Sequence, residues 1–177
     1  MSVMIGENES EKRSPFISTQ MTDIREQAVG YARLGNYRLV KSAIERGADN
    51  YDEIARAGAI ISREVVELAC DKGADNYDEI AMIGVNFRCN PVVELALERG
   101  VNDIRELALT AARSNNTAIV ELLLQRYPLD INEIALSGSE GDSFDVVKLA
   151  IERGADNIHD MAAHTLAPDV LTLLSNQ

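Results

Sequence analysis

Apolar residues recur along this chain in blocks that occupy one helical face, and the blocks end alike. Val40, Ala43 and Ile44 have counterparts at Val93, Ala96 and Leu97 and at Val147, Ala150 and Ile151. The i, i+3, i+4 spacing puts each set on one stripe of an α-helix. A further apolar residue at Leu68, Leu95, Leu122 and Leu149 widens the stripe, as a helix covered by neighbours on more than one side requires. Gly47, Gly73, Gly100 and Gly154 close these blocks, since glycine enters the left-handed conformation of a helix stop most easily. Tyr127 and Pro128 close the remaining one.

Polar positions follow the same beat. Asp23, Asn50, Asn76, Asp103, Asp130 and Asn157 are each followed three residues later by an acid, at Glu26, Glu53, Glu79, Glu106, Glu133 and Asp160. That pattern predicts six helix N-caps whose first-turn carboxylate reaches back to free backbone N–H groups. Five residues after each cap stands an alanine, Ala28, Ala55, Ala81, Ala108, Ala135 and Ala162, which predicts that two helix backbones approach closely there. From Asn50 onward the caps are spaced by 26, 27, 27 and 27 residues, a period that corresponds to one supersecondary unit stacked on its neighbours.

The expected architecture is all-α, a solenoid of about six helix-turn-helix repeats. The units fall at 21–49, 50–75, 76–102, 103–129, 130–156 and a shortened C-terminal cap at 157–177, together one domain over 21–177. Residues 1–20 lack periodicity and mix charge with Ser and Pro, which reads as a flexible tail. The second unit is one residue short, and the missing residue must come from its turn or from the end of its first helix. The glycine-rich stretch SGSEGDS, Ser137 to Ser143, reads as an inter-helix loop. Pro168 fits the start of the last helix.

Charge narrows the partners. With 29 acids against 17 Lys and Arg the formal net charge is −12, and no basic stripe suited to nucleic acid or an anionic membrane interrupts it. No stretch approaches the roughly 20 apolar residues of a membrane span, and Met1 to Ile5 is too short an apolar run for a secretory signal. The expected location is therefore intracellular and cytoplasmic. Cys70 takes a core position of its helix, while Cys89 falls in a turn as a candidate exposed thiol.

Candidate chemistry is sparse. His159 and His164 are five residues apart and point away from each other on a helix, so no metal site is expected. SGSEGDS lacks the Gly-Lys-Ser/Thr ending of a phosphate loop. The acidic runs DNYDEI at Asp49 and Asp75 lack the alternating ligands of a calcium loop. Asn115-Asn116-Thr117 matches a glycosylation acceptor, but Thr117 fits the start of a helix. No catalytic residue and no cofactor is expected, and the chain reads as a non-enzyme.

Two strings carry a family resemblance. AARSNNTAIVELLLQRY, Ala111 to Tyr127, and GDSFDVVKLAIERGADN, Gly141 to Asn157, resemble the second half of ankyrin repeats. In the first helix the family's Thr-Pro-Leu-His is replaced by Glu106-Leu107-Ala108-Leu109. The period is about six residues below the usual 33, and the shortfall lies where ankyrins place a β-hairpin finger. The chain thus looks like a fingerless ankyrin-like stack. Its repeats are also similar to those in proteins of large DNA viruses. The resemblance implies a protein-binding adaptor or decoy, acting on a host factor in the host cytoplasm if viral. The residues it implies as a concave partner-binding column are Arg25, Asp52, Asp78, Arg105, Asn132 and His159. A mostly apolar column one turn on, Val29, Arg56, Met82, Leu109, Leu136 and Ala163, is expected to pack between adjacent first helices. The alternative is a structural, self-associating component such as a virion protein, so a homo-oligomer stays open.

Overall fold

A computed structural model describes the backbone of residues 15–177 and side-chain surroundings from Asp23 onward. The described residues form twelve α-helices and no strand. In chain order they are α1 (Pro15–Arg33), α2 (Tyr37–Glu45), α3 (Tyr51–Gly58), α4 (Arg63–Lys72), α5 (Tyr77–Asn86) and α6 (Asn90–Arg99), followed by α7 (Ile104–Arg113), α8 (Thr117–Arg126), α9 (Ile131–Glu140), α10 (Phe144–Glu152), α11 (Ile158–His164) and α12 (Pro168–Ser175). Each odd-numbered helix packs against the even one that follows it. Odd helices also pack on the next odd helix and even on the next even. The result is six helix pairs in two layers, each pair meeting its neighbours in the chain.

Local chemistry explains where the helices stop. Gly47, Gly73, Gly100 and Gly154 have φ of 108°, 122°, 115° and 96°, the region that a side chain disfavours. Tyr127 instead leaves α8 in extended conformation with φ −132°, so that unit needs no glycine. Pro168 opens α12 at its first turn, where its missing N–H is not needed.

The alanine column is buried as expected. Ala28, Ala55, Ala81, Ala108 and Ala135 are at most 1% exposed, whereas Ala162 is only half-buried. Within a pair, the two helices approach closely three residues on. A Cβ added to Gly58 would stand 2.7 Å from Val65 Cγ1, and one added to Gly84 would stand 2.8 Å from Val93 Cγ2. The two helices of a pair cross at these glycines. Buried residues from Ala28 to Leu149 make one apolar cluster, and a second from Ala135 to Leu174 overlaps it on α9 and α10. The core therefore continues along the stack.

Three expectations change. Asp23 is not a cap: it lies inside α1, where its carboxylate accepts from Gln27 Nε2 at 2.9 Å. No glycine stop precedes it, so nothing ends the helix that Pro15 starts. Residues 15–20 of the expected tail accordingly belong to α1, and 1–14 lie outside the described residues. Most of SGSEGDS is helix rather than loop, since α9 runs through Glu140. Its small residues serve contact: Ser137 Oγ donates to Leu109 O at 3.0 Å, Ser139 Oγ to Ala135 O at 3.1 Å, and a Cβ on Gly138 would meet Val146 Cγ1 at 3.0 Å. Cys89 is a half-buried N-cap of α6 packed against the core rather than an exposed thiol. Cys70 is buried, and that burial raises its thiol pKa.

Candidate partner-binding face

The column lies on the first turn of α3, α5, α7, α9 and α11 and, for Arg25, in the middle of α1, beside the loop that leads into the next unit. Five of its six members bond to that loop or to the first helix beyond it. Arg25 holds Asp49 through two contacts of 2.6 and 2.9 Å. Asp52 accepts from the backbone N–H of Asp75 at 3.1 Å. Asp78 accepts from the N–H groups of Asn102 and Asp103 at 2.8 and 3.2 Å and from Asn102 Nδ2 at 3.0 Å. Arg105 grips Glu133 with two bonds of 2.8 Å. Asn132 accepts from the N–H of Asp156 at 3.0 Å and donates to its carboxylate at 2.9 Å. His159 belongs to the last pair and is exposed.

This is an inter-unit ladder, and it accounts for the variable charge of the column. Each residue matches what the following loop presents: a carboxylate or amide where N–H groups face it, a guanidinium where an acid does. Arg25, Asp52 and Arg105 remain exposed while doing so, and Asp78 and Asn132 are half-buried. The neighbouring, mostly apolar column is mixed, with Ala163 exposed. Val29, Met82, Leu109 and Leu136 are half-buried, and the first three pack against the core. Arg56 instead bridges to Glu79 at 2.6 Å.

The caps contribute a second set of rungs. Asn50, Asn76 and Asn157 start α3, α5 and α11, yet none makes a side-chain cap bond. Their Nδ2 groups donate to the carbonyls of Arg25, Asp52 and Asn132 in the preceding unit, at 3.5, 3.3 and 3.0 Å. Asn50 and Asn76 also donate to Glu53 and Glu79, at 2.6 and 3.0 Å. The acid three residues on thus receives the asparagine side chain instead of reaching a backbone N–H. Each asparagine Oδ1 is left buried without a protein partner. Asp103 and Asp130 have no donor to offer backwards, and they cap conventionally through the N–H of Glu106 at 2.9 Å and of Asn132 at 2.8 Å.

A third line of contacts, not foreseen from the sequence, runs along the opposite edge, where the two helices of each pair are joined. Arg88, Asn115 and Asp142 occupy equivalent turn positions with φ of 55°, 51° and 52°. Arg88 donates to Ser114 O at 2.9 Å. Asn115 accepts from the N–H of Val146 at 3.3 Å. Asp142 accepts from Thr165 Oγ1 at 2.7 Å and from the N–H groups of Leu166 and Ala167 at 3.0 and 3.1 Å. Asparagine and aspartate tolerate the left-handed region, which is the one signal the sequence carried for two of these positions.

No protein-family model and no curated protein matches this chain. The geometry itself therefore bounds what the face can do. Among the described residues no group of three or more His, Cys, Asp or Glu is placed to hold a metal ion, and no helix is long and apolar enough to cross a membrane.

The ladder carboxylates make stability depend on acid. The bond from Arg25 holds the Asp49 carboxyl below its ordinary pKa, the bond from Asn102 does so for Asp78, and that from Thr165 for Asp142. A carboxyl with a lowered folded-state pKa stabilises the fold above its unfolded value, about 4, and that contribution disappears as pH falls through the folded value. The melting temperature is expected to hold from pH 7 to about pH 5 and to drop below about pH 4. Asp142→Asn keeps the acceptor but removes the titration, so it should show a shallower drop. A variant slope identical to the wild type would remove Asp142 from the account.

Proposed function

We propose that this chain is a protein-interaction module without catalytic function, an ankyrin-like stack lacking hairpin fingers that serves as an adaptor or decoy. Following the likeness to viral repeats, its partner is a host protein. The reading is supported above all by one observation: α1, α3, α5, α7, α9 and α11 pack side by side in chain order. Their exposed side chains form a strip across all six pairs, and such a strip suits a partner that makes many contacts along its length. Arg25, Asp52, Arg105 and His159 stay exposed on it.

The test must respect the ladder. Alanine throughout the column would remove rungs that join the units, so we choose Asp52→Asn, Asp78→Asn and His159→Ala together. Asparagine retains the oxygen that accepts from the next loop while removing the charge. The expected result is that affinity capture from the native cell, read by mass spectrometry, recovers one protein with the wild type and loses it with the variant. Equal recovery by both forms would remove the column as the contact site.

A second reading, self-association, has its own observation. Leu166 is 89% exposed and Leu171 40% exposed on the α11–α12 pair. Recovery of the chain itself alone, with concentration-dependent sedimentation, would favour this reading over the adaptor.

A further inference from the structure

Among the described residues, six of the eight large apolar residues that stand exposed, Leu34, Tyr37, Leu39, Ile60, Ile61 and Phe87, fall within the first three helix pairs. Four of them sit on the edge where paired helices are joined. Leu34 is 75% exposed, Ile61 60% and Phe87 58%. The first two turns meet: a Cβ on Gly35, next to Leu34, would lie 3.4 Å from Ile61 Cγ2. Ile60 and Phe87 line one groove of about 360 Å³ with Val29, Ala57 and Ile83 and with three charged residues, Arg33, Glu53 and Arg56, of which Arg56 is paired with Glu79.

The first two turns lack the left-handed turn residue that reaches across this edge elsewhere, although Arg63, just after the second turn, donates to Pro91 O at 3.0 Å. From the third pair onward, Arg88, Asn115 and Asp142 tie each turn to the next. The equivalent position in the first turn is Gly35, which has no side chain to reach with. The second unit has lost a residue, and its turn, Ala59 to Ser62, contains no left-handed residue at all. The irregularity in the repeat spacing therefore coincides with the open, apolar part of the edge.

Charge on this part is also unlike the rest of the chain. Residues 27–44 contain Arg33, Arg38 and Lys41 and no acid, in a chain of net charge −12. All three cations are exposed and make no ion pair among the described residues. Of the three, Arg33 lines the groove, where the cations Arg33 and Arg56 outnumber the one acid, Glu53, and an apolar groove with an unpaired guanidinium on its lining fits an amphipathic segment whose apolar face is flanked by an acid.

We propose that the joined edge of the first three helix pairs is a docking site for a short amphipathic helix of a partner protein, apolar on one face and acidic beside it. This rests on the reading of the chain as a protein-binding module, but it centres the contact on the joined edge, in a groove that reaches Val29 and Arg56, one turn along the first helices from the Arg25 and Asp52 column. A groove with walls and a floor receives side chains from a folded segment. An anionic membrane surface is disfavoured by the overall negative charge.

The test uses the full chain to select from a phage-displayed library of random peptides. Affinities of the selected peptides are then measured against the wild type, Ile61→Ser with Phe87→Ser, and Arg33→Glu. The altered residues are exposed, and unchanged melting curves would verify the fold. Enrichment of peptides with apolar residues at helical spacing and neighbouring acids is expected, with binding weakened at least about tenfold by either variant. A peptide with an acid changed to lysine should regain affinity for Arg33→Glu. The proposal is overturned if no such peptides are enriched, or if the variants bind them as the wild type does. Loss of binding only on changing Asp52 and Asp78 would place the contact on the column and leave the module reading intact. Two other results overturn it in favour of a different occupant: patch-dependent co-sedimentation with phosphatidylserine vesicles in place of peptide binding, or a dimer of the chain that Phe87→Ser dissolves.

Discussion

Gly141→Ala is expected to destabilise the protein by about 3 kcal/mol, at the upper end of the range for overpacking, while the same substitution at Gly30 stabilises it by about 0.5–1 kcal/mol. The two glycines differ in what lies beside them. Gly141 ends α9 with φ −92°, which any residue can adopt, so the obstacle is contact. A Cβ there would stand 2.6 Å from Arg113 Cα and closer still to the Arg113 carbonyl oxygen. Backbone of the preceding unit cannot rotate aside as a side chain can, so the two units must separate. Gly30 lies within α1, and a Cβ on it meets no described atom within 4 Å, which leaves the gain in helix propensity. Urea unfolding at matched slopes measures both. If Gly141→Ala unfolds at the wild-type midpoint, the units do not meet at this turn as described.

Met161→Ala should remove about 2–5 kcal/mol of packing, and the loss should appear at one end of the molecule. Met161 is fully buried in the smaller apolar cluster, with Val170 and Leu174 of α12 and Ala135, Val147 and Ala150 of the pair before. Because each pair packs on its chain neighbours, a terminal pair can open while the others stay folded. Hydrogen exchange should then quicken in α11 and α12 and stay slow in α3 to α7. Ile80→Ala is the comparison, since Ile80 is fully buried in α5 with pairs on both sides. Its loss, of similar size, should lower protection across the middle of the stack. Uniform loss of protection on changing Met161 would mean the stack unfolds as one body.

The contrast at Gly141 also shows how far the sequence could be read. Glycine next to serine and acid in SGSEGDS has the composition of a loop, yet Ser137 to Glu140 is helical. Their small size is required by contacts with Leu109, Val146 and Arg113, residues from other helices that no local pattern reveals. The first-helix column poses a similar problem. A position that varies in charge while its neighbours repeat can be a contact surface or can be answering a variable neighbour. Asp78 facing Asn102 and Asn132 facing Asp156 are complementary pairs separated by 24 residues, a relation visible once the two loops lie side by side.

What the sequence determined by itself is the local and repeated part. The i, i+3, i+4 stripes, the stops at Gly47, Gly73, Gly100 and Gly154 and the buried alanines all follow from preferences confined to one or two helical turns. Copied about every 27 residues, those preferences specify the helices of the pairs with little ambiguity. The tertiary structure decided everything that depends on the gap between units. It turned Asn50, Asn76 and Asn157 from caps into rungs, absorbed Asp23 into α1, tied the turns together through Arg88, Asn115 and Asp142, and left the turns at Leu34 and Ile61 open. The physical reason is that a hydrogen bond or a close contact between units is set by two surfaces at once, and only one of them is adjacent in the chain.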